Sequence, residues 1–252
     1  MSEAYSRPLP ARPWWQRPSV VSLLVVLLVL AATIGWSMYV GLKDEQRQAL
    51  AHGLPWQVEP DGQGGSRVFG LRLGQDRLDE VQARLGDELT TGVMVAQGGA
   101  PALEGFVESL RAGFVTGRLV AAFDADPAWL QAARERAPGN DVGEGGRSRR
   151  YKLTADDRQT AGRARLLALA YLPAVRLDAE MVRQRFGEPA ERVPGPAGET
   201  QWLYPDLGVA VVLPPERGEQ AGARSVIQYV APRDFDARLR APLRAAAASA
   251  PR

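Results

Sequence analysis

The sequence predicts an α+β protein: an N-terminal transmembrane helix, then two tandem units, each an antiparallel sheet with a helix. Three observations carry this. Residues 20–42 form an uncharged apolar run, the remainder alternates strand-like and helix-like patterns between turn residues, and the order of those patterns recurs about 100 residues later.

Residues 1–19 hold Arg7, Arg12 and Arg17 against Glu3, with Pro8, Pro10, Pro13 and Pro18. This composition predicts an extended cytoplasmic tail; a proline-rich docking segment is the less economical reading. Val20 to Leu42 follows with no charged residue. As a helix it spans roughly 35 Å against a hydrocarbon core of about 30 Å, and a buried helix of a soluble protein rarely runs that far without a polar stripe. Trp14, Trp15, Trp36 and Tyr39 flank the run where interfacial aromatics belong. Three basic residues precede it, and Lys43 and Arg47 follow it close by. That bias favours a cytoplasmic N-terminus and about 210 residues outside the cytoplasm. The run is too long for the apolar core of a cleaved signal peptide, and bulky residues occupy the position of a cleavage site, so an uncleaved signal anchor is expected.

Composition narrows the function. Removing the three Arg and one Glu of residues 1–19 from the chain's 31 basic and 29 acidic residues leaves 28 of each. The outer portion is formally neutral and offers no net positive field to phosphates, so no nucleic-acid partner is expected. With no cysteine, disulfides and thiolate metal sites are excluded and stability must come from packing.

Residues 43–66 read as a stalk and linker: Gly53 and Pro55 stop a helix, and Gly62, Gly64 and Gly65 mark a loop. Those glycines lack the Lys-Ser/Thr and strand-to-helix context of a phosphate loop. The first unit, 67–138, begins with a strand over 67–73 (Val68, Leu71, Leu73). A helix over 75–85 follows, with Leu78, Val81 and Leu85 on one face and Gly86 at its end. Strands are expected over 89–96, 103–110 and 114–123, the last two joined by a turn at Arg111-Ala112-Gly113. Asp126-Pro127 then starts a short helix to about Arg136.

Residues 139–153 read as a second linker, a solvated loop more naturally than a basic contact site despite Arg147, Arg149 and Arg150. The second unit, 154–235, opens with a helix capped by Thr154, followed by a buried strand over 166–172, a helix over 177–186 closed by Gly187, and strands over 201–204, 209–213 and 225–230. Pro205-Asp206-Leu207-Gly208 is a turn between two of them. From Phe235 the chain is helical or frayed, and 236–252 is expected as a flexible tail.

The two units agree in detail: Val81-x-x-x-Leu85-Gly86-Asp87 answers Val182-x-x-x-Phe186-Gly187-Glu188, the mark of an internal duplication. The run Glu180-x-Val182-x-x-x-Phe186-Gly187-Glu188-Pro189, a loop, then Trp202-x-Tyr204 resembles the small outer-membrane-assembly lipoproteins of the SmpA/OmlA type. Tandem copies of a similar helix-plus-sheet unit occur in β-lactamase inhibitor proteins. The likeness covers about 60 residues of the second half and, more faintly, 60 of the first. The second half as a whole also resembles bacterial single-pass membrane proteins. The chain departs from the lipoprotein pattern in lacking the lipidated cysteine and in showing one clear helix before each strand set. The resemblance implies a non-enzymatic envelope protein that binds other proteins, placed by the anchor in the bacterial inner membrane with its C-terminal domain periplasmic.

No catalytic constellation emerges. His52, the sole histidine, lies in the presumed stalk, where a Ser–His–Asp arrangement would have no scaffold. Asp124 and Asp126 lack further ligands at calcium-loop spacing, and Asp156-Asp157 reads as a helix start. No cofactor or metal is expected. Trp202, Tyr204 and Tyr229 are the candidate protein-binding face, with packing across a sheet as the alternative. Trp202 and Tyr204 share one strand face. Three functions follow: a membrane-anchored module that binds proteins in envelope assembly, with the bilayer held through Val20 to Leu42; a module for a small ligand or cell-wall component; and, least favoured, a carboxylate-dependent hydrolase.

Overall fold

Ten antiparallel strands of one sheet run through both halves of the chain in the computed structural model, which describes residues 53–143, 146–195, 197–215 and 222–249. The apolar run Val20 to Leu42 and His52 lie outside the described residues. Among those described, no helix is long and apolar enough to cross a membrane.

Before the large sheet comes a small one: β1 (Glu59–Pro60), β2 (Ser66–Val68) and β3 (Leu71–Leu73). The single strand expected over 67–73 is thus a hairpin, turned at Phe69-Gly70 with both residues at positive φ. That conformation suits glycine and strains a phenylalanine. Burial offsets the strain: the Phe69 ring lies 5.2 Å from that of Tyr171 and 5.6 Å from that of Tyr229, beneath the middle of the large sheet.

Next come α1 (Leu78–Leu85), β4 (Thr90–Ala96), β5 (Ala102–Ala112), β6 (Val115–Phe123), α2 (Pro127–Glu135), β7 (Asn140–Val142) and β8 (Ser148–Lys152). The chain continues with α3 (Ala155–Ala161), β9 (Leu166–Pro173), α4 (Ala179–Phe186), β10 (Glu191–Pro194), β11 (Thr200–Tyr204), β12 (Val209–Leu213), β13 (Val226–Val230) and α5 (Ala241–Ser249). The strand order is β10-β11-β12-β13-β9-β6-β5-β4-β8-β7, so β6 and β9 join the two halves edge to edge.

Helix starts follow the local chemistry. Asp126 accepts a hydrogen bond from the Trp129 amide at 2.8 Å with Pro127 at the first position of α2; Thr154 and Asp178 cap α3 and α4 in the same way. Gly86 and Gly187 end α1 and α4 at positive φ. The Arg136 guanidinium reaches from the end of α2 to buried Asp157 on α3, at 2.6 Å, and holds that carboxyl below its ordinary range.

Alternation along the strands divides the sheet into two faces. The inner face carries Leu103, Val107, Leu119, Leu169, Tyr171, Tyr229 and Val211, which form one core with α1 to α4 and the small sheet. Gly117 admits the Tyr171 ring there, since a Cβ would stand 2.6 Å from Tyr171 Cζ. The outer face has a separate, smaller core: Val193, Leu203, Ala210 and Val230 pack against Phe235, Leu239 and Leu243. The segment expected as a flexible tail is therefore helical as far as Ser249, because its apolar residues Leu239 and Leu243 pack on this sheet face.

Residues 139–153, expected as a linker, supply β7 and β8, the end of the sheet beyond β4. Their polar sequence fits an edge, where one flank meets solvent.

Candidate functional site

The inner face resolves where the three aromatic candidates go. Trp202 aligns across the strands with Val211, Ile227 and Tyr171, and Tyr204 with Val209, Tyr229 and Leu169. All three are buried: Trp202 at 5%, Tyr204 at 6% and Tyr229 at 0% exposure. Tyr204 packs on Phe186 of α4 and donates its hydroxyl to the Gly187 carbonyl at 3.0 Å, and burial pushes its pKa up to about 12. Tyr229 donates to the Pro55 carbonyl at 2.8 Å. The Trp202 ring lies under the guanidiniums of Arg192 and Arg183, 4.7 and 5.6 Å from its centroid, which Glu188 clamps together at 2.7 Å to each. The exposure that a binding face requires is missing here: these rings pack the core and anchor α4.

The other acidic candidates are likewise structural. Asp126 caps α2, Asp124 lies 3.7 Å from Arg165, and Asp157 is held by Arg136 and Thr154. Among the described residues, no three His, Cys, Asp or Glu side chains converge as a metal site.

A concave feature lies on the outer face, over the strands that α5 does not cover. Residues two apart on β5 place Glu104, Phe106 and Glu108 there, opposite inward Leu103, Gly105 and Val107. Beside them stand Thr90 and Met94 of β4, Arg118 and Val120 of β6, Leu172 of β9, and Asp141 and Arg150 of β7 and β8, around a groove of about 390 Å³. Arg118 Nη2 meets Glu108 Oε1 at 2.7 Å, and its guanidinium lies 5.3 Å from the Phe106 centroid. Arg150 meets Asp141 at 3.0 Å, with Lys152 on the other carboxylate oxygen at 3.2 Å; these cations hold Asp141 below the ordinary carboxylate range. Gly92 lets Arg150 lie flat on the sheet, since a Cβ there would stand 2.8 Å from Arg150 Cγ.

Glu104 is different. It has no hydrogen-bond or ion-pair partner among the described residues, and burial pushes its carboxyl above the ordinary range. Across the strands its neighbours are Gly92 and Ala122, with the Arg150 side chain lying over Gly92. A half-buried lone carboxylate beside an aromatic ring suits a cationic group, whose charge the acid neutralises and the ring face attracts. The sequence signal was available: Glu104-x-Phe106-x-Glu108 sets an aromatic among charges on one strand face. It lacked significance until the cover of that face was known. No family model matches the chain, and no curated protein or solved structure matches it.

Proposed function

We propose that this chain is a single-pass protein of the bacterial inner membrane whose periplasmic α+β domain binds another protein, in envelope assembly, without catalysis. The observation that supports it best is the groove on the outer sheet face, where the charges pair off except for Glu104. A partner fits that offers a basic side chain to Glu104 and apolar neighbours to Phe106, Val120 and Leu172. The resemblance of the second half to outer-membrane-assembly lipoproteins points the same way.

The test places a photo-crosslinking residue at Val120 in the full-length protein in cells. One discrete adduct, lost when Glu104→Lys is added, is the expected result; no adduct from Val120 counts against protein binding. Active periplasmic and silent cytoplasmic reporters fused after Arg252 are the expected topology, and the reverse would remove the envelope reading. A second reading, a small cationic ligand, draws support from the groove's size, which lies in the range of small-molecule sites (roughly 300–1,000 Å³). Saturable calorimetric binding of a simple amine, absent in Glu104→Gln, would favour it over the first.

A further inference from the structure

We propose that one end of the domain, the tip of the β5–β6 hairpin with the β9–α4 loop beside it, rests on the lipid surface of the membrane in which the chain is anchored. This rests on the anchor assigned under the proposed function, but not on the groove or its partner.

The tip is a two-residue turn between paired Ala112 and Val115, with Gly113 at φ 61°. The turn explains the glycine, which supplies the positive φ at the first central position. It does not explain Phe114, which is 75% exposed. The ring lies against Trp56, at a centroid distance of 5.7 Å, and Trp56 carries the Arg185 guanidinium 4.6 Å from its own centroid. The neighbouring loop adds Val175, 57% exposed, and is fastened to the hairpin by the Ala174 amide donating to Thr116 O at 2.8 Å. Arg111 and Arg176 are exposed on the same hairpin and loop, Arg176 also donating to the Pro215 carbonyl at 3.3 Å, and exposed Arg185 stacks on Trp56. Asp178, two residues on from Arg176, caps α4. Lone surface apolar residues need no explanation, but two protruding ones together with a Trp–Arg stack and flanking arginines form the chemistry of a membrane interface. Aromatic rings settle at the headgroup level and guanidiniums at the phosphates.

Chain length commits the patch to that occupant. Leu54 lies against the tip, where a Cβ on Gly113 would meet Leu54 Cδ2 at 2.5 Å. The described chain therefore begins at this end of the domain. Only Lys43–His52 separates Gly53 from the apolar run, a span of at most about 35 Å fully extended and about 15 Å if helical.

The chain has no cysteine, so single-cysteine variants of the full-length protein can carry a nitroxide. Val175→Cys reports from the patch. Val142→Cys is the control: Val142 is 62% exposed and lies at the opposite end of the strands, where β5 begins and β4 ends. In vesicles of phosphatidylcholine and phosphatidylglycerol, the label at 175 should be shielded several-fold from an aqueous nickel chelate and favoured by oxygen relative to that at 142. Phe114→Ser in the Val175→Cys background should abolish the shielding. Equal nickel accessibility at both sites, or shielding indifferent to Phe114→Ser, in protein that resists alkaline carbonate extraction overturns the proposal and leaves the anchor standing. Protein stripped from the vesicles by carbonate overturns the anchor, and this proposal with it.

Discussion

The outer face of the large sheet is treated differently over its two halves. Over β10 to β13, Leu203, Ala210 and Val230 are sealed by Phe235, Leu239 and Leu243 of the C-terminal helical segment. Over β4 to β6, Phe106 and Val120 remain half-buried, and ion pairs rather than a helix stand beside them. An antiparallel sheet needs only one covered face to be stable, so the cover on the second face is optional. Where the chain spends a helix, that face has become core; where it leaves a groove, the face is available for other uses.

The largest expected effect comes from breaking the sealed half. Phe235 is 1% exposed, and Phe235→Ala should cost about 3–5 kcal/mol of folding stability, the range for truncating a buried aromatic. Phe106→Ala, in the open half, should cost less than Phe235→Ala because the ring is only partly buried and lies against the Arg118 guanidinium. Urea midpoints of the two variants at unchanged m-value measure the difference. Equal losses would mean that the open half is core as well, and the groove would lose its standing as a separate site.

Glu104 sharpens the comparison, since it is the group that a structural face would have no reason to keep. Its pKa is raised from the ordinary 4.5. The folded state therefore prefers the protonated form, and stability is lost as pH rises through the folded value. Glu104→Gln removes that term, so the variant should gain stability over the parent as pH rises from acid to about pH 8. Urea unfolding of both proteins at the two ends of that range checks this. A variant that is more stable yet loses its partner or amine is the signature of a residue held for function. Loss of stability at both pH values would show instead that the carboxylate serves the fold.

How much of this could be read beforehand depended on whether the signal was local. The caps at Asp126, Thr154 and Gly187, and the turn at Pro205 to Gly208, rest on side chains within a few residues of the backbone groups that they satisfy, and they stand where the sequence placed them. The break at Phe69 did not announce itself, because a phenylalanine is a poor turn residue; its conformation is imposed by Tyr171 and Tyr229, over 100 residues away. The edge strand β7 and its neighbour β8 were hidden by polar composition, since the end of a sheet is not required to be apolar. The aromatic candidates turned on one undecidable point. Period-two alternation groups Trp202 with Tyr204 but does not say which face the helix will take, and α4 took theirs. By the same limit, the groove was legible as a pattern on β5 but not as a cavity.

The smallest effect concerns the pair that borders the groove. Glu108 is largely exposed, at 69% of its side chain, so its 2.7 Å contact with Arg118 is screened by solvent. Glu108→Gln should change folding stability by less than about 0.5 kcal/mol, and the coupling to Arg118 in a double-mutant cycle should be equally small. Such a pair is retained for something other than stability if it also holds the Arg118 guanidinium over Phe106 and away from Glu104. The accompanying measurement is then partner or amine binding: Glu108→Gln removes an ion pair that orients the Arg118 guanidinium over Phe106 at the groove, so binding should weaken while the urea midpoint stays in place. Unchanged binding would reduce the pair to ordinary surface charge and leave Glu104 as the one acidic determinant that separates the open half from the sealed one.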